Sequence, residues 1–150
     1  MRRCLLLSSL LLMAVVAVAA DYLLPLDEGR QQYGVSITAR GAEITGVCIV
    51  KTDAEGSRGA IVNEFGIHAL DFMVSADRRK VKLLNVIAMM DRWYVRRVVK
   101  KDLRTLFNAT ADGEQGSGRT VTVEPDGTVT LTNTRYKLKY SLKKLHEATE

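Results

Sequence analysis

The residues of this chain that could carry out catalysis or bind a metal are few and far apart. The two histidines, His68 and His146, are widely separated, and neither lies in a cluster with metal-ligand spacing. No Ser/His/Asp or Cys/His pairing stands out, and no glycine-rich phosphate-binding loop precedes a helix. The sequence therefore predicts a protein that is not an enzyme and that has no metal site and no cofactor.

Four polar residues lie where a reversible contact could form. Asn63 and Glu64 end the third predicted strand, Asp71 lies in the fourth, and Asp102 falls within the apolar stripe of a predicted helix. A carboxylate in apolar surroundings needs a hydrogen-bond donor. Two interpretations stay open: these groups cap turns and satisfy one another or nearby basic residues, or one of them is a latch that holds the helix and opens at a cost of a few kcal/mol.

Positive charge is concentrated in one stretch. The chain has 22 Lys and Arg against 17 Asp and Glu, and residues 75–104 hold 10 of the basic residues but 3 of the acidic ones. The candidate partner surface consists of Arg92, Arg96, Arg97, Lys100 and Lys101. Nucleic acid is not expected, because the aromatic residues of a single-strand binder are missing and an exported chain rarely meets it. The surface is either a solvated helix face or one attracted to anionic lipid headgroups.

These basic residues belong to residues 87–107, which predict the one amphipathic helix that follows the N-terminal segment. At about 100° per residue, the apolar side chains share a single stripe and the basic ones lie opposite. The stripe consists of Val95, Val98, Val99, Leu103 and Leu106. Such a stripe must be covered, and we expect it to cover the inner face of a sheet formed by the flanking strands.

Residues 1–20 have the three parts of a secretory signal peptide. Arg2 and Arg3 precede an apolar run from Leu5 to Val18, and small residues follow. The run is shorter than the ~20 residues of a spanning helix. We therefore expect a cleaved signal rather than an anchor, and an exported chain that is soluble in the periplasm or cell envelope.

The two cysteines predict neither a lipid anchor nor a disulfide. Cys4 precedes the apolar run, whereas a lipid-modified cysteine would end it. Cys48 is then the single cysteine of the mature chain, so no intramolecular disulfide can form. Because it lies between Val47 and Ile49 in a predicted strand, we expect it to be a small buried core residue.

The mature chain predicts a single β-rich domain. Residues 21–34 indicate an irregular lead-in, residues 35–142 about eight antiparallel strands with the helix after the fifth, and residues 143–150 a frayed tail. The second and fourth strands are apolar on both faces, which suggests cover on both sides by protein or by a ligand. The expected fold is mainly β (α+β), an incomplete or half barrel with the helix over its concave face.

Residues 59–74 (GAIVNEFGIHALDFMV) and 81–107 resemble a family of small envelope lipoproteins, which is distantly similar to the LolA/LolB-type lipoprotein carriers. Three short motifs carry the resemblance. The turn motif is Asn63, Glu64, Phe65 and Gly66; the strand motif is Asp71 and Phe72; and the motif at the end of the helix is Asp102 and Leu103. The resemblance implies an unclosed barrel with a helical lid over an apolar cavity that accepts acyl chains. The lipidated cysteine typical of many of these relatives is missing here, which favours a soluble state.

Two functions are therefore expected as alternatives. The first is binding of a lipid, or of the lipid part of an acylated lipoprotein, in a cavity lined by Val47, Ile49, Leu70, Phe72, Leu83, Trp93, Val98 and Leu106. The second is an interaction module of the same fold with a filled core, which docks onto an envelope protein or an anionic membrane surface through the basic helix face. Whether side chains fill the space between helix and sheet distinguishes the two.

Overall fold

The computed structural model describes residues 21–111, 116 and 118–146, so the predicted signal peptide and the last residues of the predicted tail lie outside the described residues. The strands are β1 Gly29–Ala39, β2 Ala42–Asp53, β3 Gly56–Asn63, β4 His68–Ser75, β5 Val81–Val86, β6 Arg119–Val123, β7 Val129–Asn133 and β8 Leu138–Lys144. A short 3-10 helix, Ala88–Met90, precedes the α-helix α1, Trp93–Asn108. In the part of the chain described, no helix has the length and hydropathy needed to cross a bilayer.

All eight described strands form one antiparallel sheet that does not close. Their order across the sheet is β5-β4-β3-β2-β1-β8-β7-β6. The chain passes from one end of this order to the other through α1, and the helix contacts β5, β6 and β7. The predicted fold class, a half barrel of antiparallel strands with one α-helix over its concave face, is confirmed.

The alternation of side chains along the strands places the core on the face that α1 covers. In β1, Tyr33, Val35 and Ile37 are buried, and pairing sets Tyr33 beside Cys48 of β2 and Ile37 beside Tyr140 of β8. The same face continues through β3, β4 and β5 on one side and through β7 and β6 on the other. One contiguous core therefore lies between the sheet and the helix.

The helix begins later than predicted. Residue 87 still belongs to the sheet margin, because the Ile87 amide donates to the Ala69 carbonyl across 3.0 Å. The chain must then turn through the 3-10 helix, and Arg92 is extended, with φ −117° and ψ 140°. Helical geometry starts at Trp93, so the prediction of a helix from residue 87 is wrong at its N-terminal end.

The lead-in and the tail are both shorter than predicted. Strand β1 begins at Gly29 rather than Val35, because the polar inner-face residue Gln31 finds partners, accepting from the Tyr33 hydroxyl and donating to Asp27. Strand β8 runs to Lys144, which pairs with Tyr33. The predicted boundaries at residues 35 and 143 are therefore corrected.

The remaining lead-in residues pack beside the C-terminal end of α1. Leu24 is buried, and the Leu23 amide donates to the Ala109 carbonyl across 2.9 Å. The guanidinium of Arg78, in the β4–β5 turn, donates to the carbonyls of Leu24 (2.8 Å) and Phe107 (2.9 Å). A cation at the last carbonyls of a helix is favourable, so this buried arginine joins the lead-in, the turn and the helix end.

Candidate functional site

Helix α1 has two faces, as the sequence predicts. Val98, Val99, Leu103 and Leu106 of the apolar stripe are buried, and Val95 is half-buried. On the opposite side, four basic residues are exposed: Arg97, Lys100, Lys101 and Arg104. The helix therefore covers the core with one face and presents cations to solvent with the other.

Asp102 is the polar residue within the buried face, and its partners come from three strands. Its side chain is inaccessible to solvent. It accepts from Nε of Arg119 (2.6 Å), Nδ2 of Asn133 (2.8 Å) and the hydroxyl of Tyr140 (2.9 Å). Burial, together with the Asp102 carboxylate, raises the pKa of Tyr140 well above its usual value. This network fastens α1 to β6, β7 and β8.

The other three latch candidates do not lie between helix and sheet. Oδ1 of Asn63 accepts from the amides of Phe65 (3.0 Å) and Ile67 (2.8 Å), which fixes the β3–β4 turn. Glu64 is exposed in that turn. Asp71 pairs with Nδ1 of His68 at 3.0 Å. Asn63 therefore caps its own turn, as the first of the two open interpretations has it, and of these four residues Asp102 is the one that lies between helix and sheet.

Three of the eight predicted cavity residues belong to the core between α1 and the sheet. Leu70, Phe72 and Leu106 are each 1% exposed. Val98, which is 9% exposed, lines a surface cleft beside the helix. The Phe72 ring lies 5.5 Å from that of Phe107, measured between centroids. A side chain that lined an empty space large enough for an acyl chain would itself be accessible to a water-sized probe. The space at Leu70, Phe72 and Leu106 is therefore filled by protein.

Three other predicted cavity residues lie away from this core. Val47 and Ile49 are on the opposite face of the sheet from α1, because strand alternation assigns the inner face to Cys48 and Val50. Burial raises the pKa of the Cys48 thiol to about 12. Trp93 is 75% exposed. The assignment of Val47, Ile49 and Trp93 to a shared lining is wrong.

Leu83, the eighth predicted lining residue, is partly buried and packs against the edge of the core. It pairs with Phe72 next to an irregularity in the β4–β5 ladder. It therefore belongs to the same packed layer as Phe72 rather than to an open space.

A groove with a volume of about 820 Å³ lies between α1 and the β4–β5 edge of the sheet. Seven of its twelve lining residues are basic, and Glu55 is the one acidic lining residue. We call it the basic groove; its cations are Arg79, Lys80, Lys82, Arg97, Lys100, Lys101 and Arg104. Such a concentration of one charge in a concave surface attracts anions.

A second, smaller cleft of about 380 Å³ lies on the other side of the helix. Arg97 and Lys101 line both the basic groove and this cleft, so the positively charged surface extends from one to the other. Its lining also includes three aromatic side chains, those of Trp93, Tyr94 and Tyr136. We call it the aromatic cleft.

The five residues of the predicted partner surface lie in two places on the helix. Arg97, Lys100 and Lys101 line the basic groove, whereas Arg92 and Arg96 do not, and Arg96 is paired with Asp91. Arg79, Lys80 and Lys82 also line the groove; the positive charge of residues 75–104 pointed to that stretch but not to these three residues. The sequence does not reveal them, because it is the packing of α1 beside β5 that brings the β4–β5 turn and β5 close to the helix.

No metal-binding arrangement is present among the described residues, where no group of three or more His, Cys, Asp or Glu side chains converges. No protein-family model matches the chain, and no curated protein matches it either. The resemblance to the small envelope lipoproteins and the LolA/LolB-type carriers therefore stays a prediction. The geometry of the basic groove is the firmest basis for a functional proposal.

Proposed function

We propose that this chain is a non-enzymatic binding module that holds an anionic partner against the basic face of α1. The observation that carries the proposal is the composition of the basic groove, with seven cations and one carboxylate. A single exposed ion pair contributes less than about 1 kcal/mol. At physiological ionic strength charges act over about 8 Å, so cations that share one groove act together on one multivalent anion.

The packing of α1 supports this function over carriage of a lipid between helix and sheet. The helix is fastened by the Asp102 network and by apolar side chains that are almost inaccessible to solvent. Opening the helix would expose these apolar side chains and separate a buried carboxylate from its donors, each at a cost of several kcal/mol. A fixed helix suits a binding surface better than it suits a lid.

Lipid carriage and export to a bacterial envelope stay predictions, and lipid carriage has a test of its own. Lipid extraction from the purified protein, followed by mass spectrometry, detects co-purified acyl chains. A chain that carries lipid would yield them and would bind a fluorescent fatty acid. Protein that is free of acyl chains and fails to bind the fatty acid contradicts the carrier prediction and leaves the proposal above in place.

The proposed function is tested by titration calorimetry with a compact polyanion, inositol hexakisphosphate, as the probe. The groove variant carries Arg97→Gln, Lys100→Gln and Arg104→Gln, three exposed positions on one face of α1. We expect wild-type protein to bind the probe and the groove variant to bind it about tenfold or more weakly, since about 1.4 kcal/mol corresponds to a factor of ten.

The chain offers a matched control for charge alone. Arg30, Lys51 and Arg58 are exposed and occupy one row across β1, β2 and β3, on the face of the sheet away from α1. The outer-face variant Arg30→Gln, Lys51→Gln, Arg58→Gln loses the same three charges. Its affinity is expected to stay within about twofold of wild type. Equal losses in the two variants would mean that net charge alone attracts the probe, and would contradict the proposal.

A further inference from the structure

Large apolar side chains are exposed at one end of the molecule. Phe65 is 79% exposed, Met89 77%, Trp93 75% and Ile67 50%. We call these four residues the apolar tip. Exposed apolar residues scattered singly need no explanation, but a cluster beside a charged surface marks an interaction site.

The topology places these residues together. Phe65 and Ile67 lie in the β3–β4 turn, and Met89 lies in the 3-10 helix that follows β5. Strand β4 starts beside the end of β5, since Leu70 pairs with Val86 and the Ile87 amide bonds to Ala69. The two segments therefore leave adjacent strands at the same end of the sheet. Trp93 then begins α1, and its ring contacts that of Tyr94 edge-on, with 5.9 Å between centroids.

The turn that carries Phe65 and Ile67 is rigid. Oδ1 of Asn63 accepts from both of their amides, and Gly66 has a φ of +76°, a conformation that favours glycine. The turn therefore holds two apolar side chains where solvent reaches them, without the favourable burial that contact with a partner would give. This arrangement fits a surface that is buried against a partner.

Cations flank the apolar tip. Arg92 precedes Trp93, and Arg97 follows it after about 6 Å of helix length at 1.5 Å per residue, whereas Arg96 is paired with Asp91. Farther along the same helix lie Lys100 and Lys101 of the basic groove. Apolar and aromatic residues next to arginine and lysine are the composition of a surface that binds the headgroup region of an anionic bilayer. Charge complementarity thus selects a membrane rather than a neutral apolar partner.

We infer that the apolar tip inserts into the interface of a phospholipid bilayer while the basic face of α1 binds its anionic headgroups. The inference rests on the proposed function and names its partner as a membrane surface containing anionic lipid. The apolar tip supplies the hydrophobic contribution to the affinity, which salt does not screen. The cations supply the electrostatic contribution, which salt weakens.

The test uses Trp93, the single tryptophan of the chain, as a native reporter. The protein is titrated with vesicles of phosphatidylglycerol and phosphatidylcholine, and with vesicles of phosphatidylcholine alone. We expect a blue shift of the Trp93 emission and quenching by shallowly brominated lipid with the anionic vesicles, and at least tenfold weaker binding to the neutral ones. Vesicle binding with unchanged Trp93 emission would overturn insertion.

Two variants separate the tip from general surface hydrophobicity. The tip variant Phe65→Ser, Met89→Ser should bind anionic vesicles about tenfold or more weakly, with its circular dichroism and its affinity for inositol hexakisphosphate unchanged. The control variant Val123→Ser, Leu145→Ser alters two exposed residues at the opposite end of the sheet and should bind as wild type. Equal weakening of both variants would overturn the inference.

The vesicle and polyanion results also separate the two proposals from each other. Binding of inositol hexakisphosphate without binding of anionic vesicles would overturn the membrane inference and would leave an anionic macromolecule of another class as the partner. Failure to bind either probe would overturn both. Vesicle binding that the groove variant retains in full would show insertion without the proposed role for the cations, and would overturn the inference as stated.

Discussion

Asp102 is a carboxylate in the apolar face of a helix, and its surroundings explain why it is tolerated there. Its need for a donor follows from the sequence, since an unpaired buried charge costs several kcal/mol. The identity of the donors cannot be read from the sequence, because Arg119, Asn133 and Tyr140 lie on three different strands that follow Asp102 in the chain. Only the order β8-β7-β6 brings these strands under the helix.

The Asp102 network should contribute strongly to stability. We expect Asp102→Asn to lower the free energy of unfolding by about 3–5 kcal/mol, because Arg119 loses its buried counter-charge. Urea denaturation followed by circular dichroism measures the change. Asp91→Asn is the control, since Asp91 forms an exposed pair with Arg96, and its midpoint should equal that of wild type. Equal midpoints for the two variants would mean that the network does not hold the helix.

Alkaline pH should destabilise the fold through buried acids. Burial raises the pKa of Cys48 from 9.0 to about 12, and that of Tyr33 from 10.0 to about 12. Between about pH 9 and 12 the unfolded chain binds fewer of these protons than the native chain does, so the free energy of unfolding falls as pH rises. The urea midpoint should be lower at pH 10.5 than at pH 8. A midpoint that is constant or rises would contradict the assigned burial.

At the scale of elements, the contact between α1 and β4 depends on a glycine. Gly59 of β3 is the cross-strand partner of Phe72, and a Cβ at Gly59 would lie 2.1 Å from Cζ of Phe72. The ring occupies the space that the missing side chain leaves, and from there it reaches Phe107 of the helix. The sequence indicated that Phe72 faces inward, but not that Gly59 makes room for it, because that depends on the β3–β4 register.

Gly59→Ala should therefore loosen the packing of the helix on the sheet. We expect a loss of about 1–3 kcal/mol, since the added methyl group forces the Phe72 ring out of its place. Gly34→Ala is the control, because the nearest atom to a Cβ there is Cδ2 of Leu145 at 3.6 Å. Thermal unfolding compares the two variants. An equal Tm for Gly59→Ala and Gly34→Ala would show that Phe72 does not pack as described.

At the scale of the whole molecule, periodicity predicted the strands and the helix, because side-chain alternation and the 3.6-residue repeat are local properties. The helix start was mispredicted because Ile87 bonds to Ala69, a contact that no local pattern reveals. Val47 and Ile49 were assigned to a cavity because a strand that is apolar on both faces does not itself indicate which face is covered. Their cross-strand partners on the outer face are Val62 and Ala60.

The basic groove is a property of the assembled fold. Arg79, Lys80 and Lys82 come from the β4–β5 turn and β5, whereas Arg97, Lys100, Lys101 and Arg104 come from α1. The sequence showed that residues 75–104 are rich in positive charge. That the two segments face one space follows from the packing of the helix beside β5. The apolar face of α1 therefore packs on the core, and we propose that its basic face binds the partner.

The measurement that tests this assignment most directly is nuclear magnetic resonance of the protein with bilayer discs containing phosphatidylglycerol. We expect shifts or broadening for the amides of Arg97, Lys100 and Lys101, with the methyl signals of Leu70 and Leu106 unchanged. Neutral discs of phosphatidylcholine should leave both sets unchanged. Movement of the Leu70 and Leu106 methyl signals, with those of the basic face unchanged, would mean that lipid enters between helix and sheet and would contradict the account.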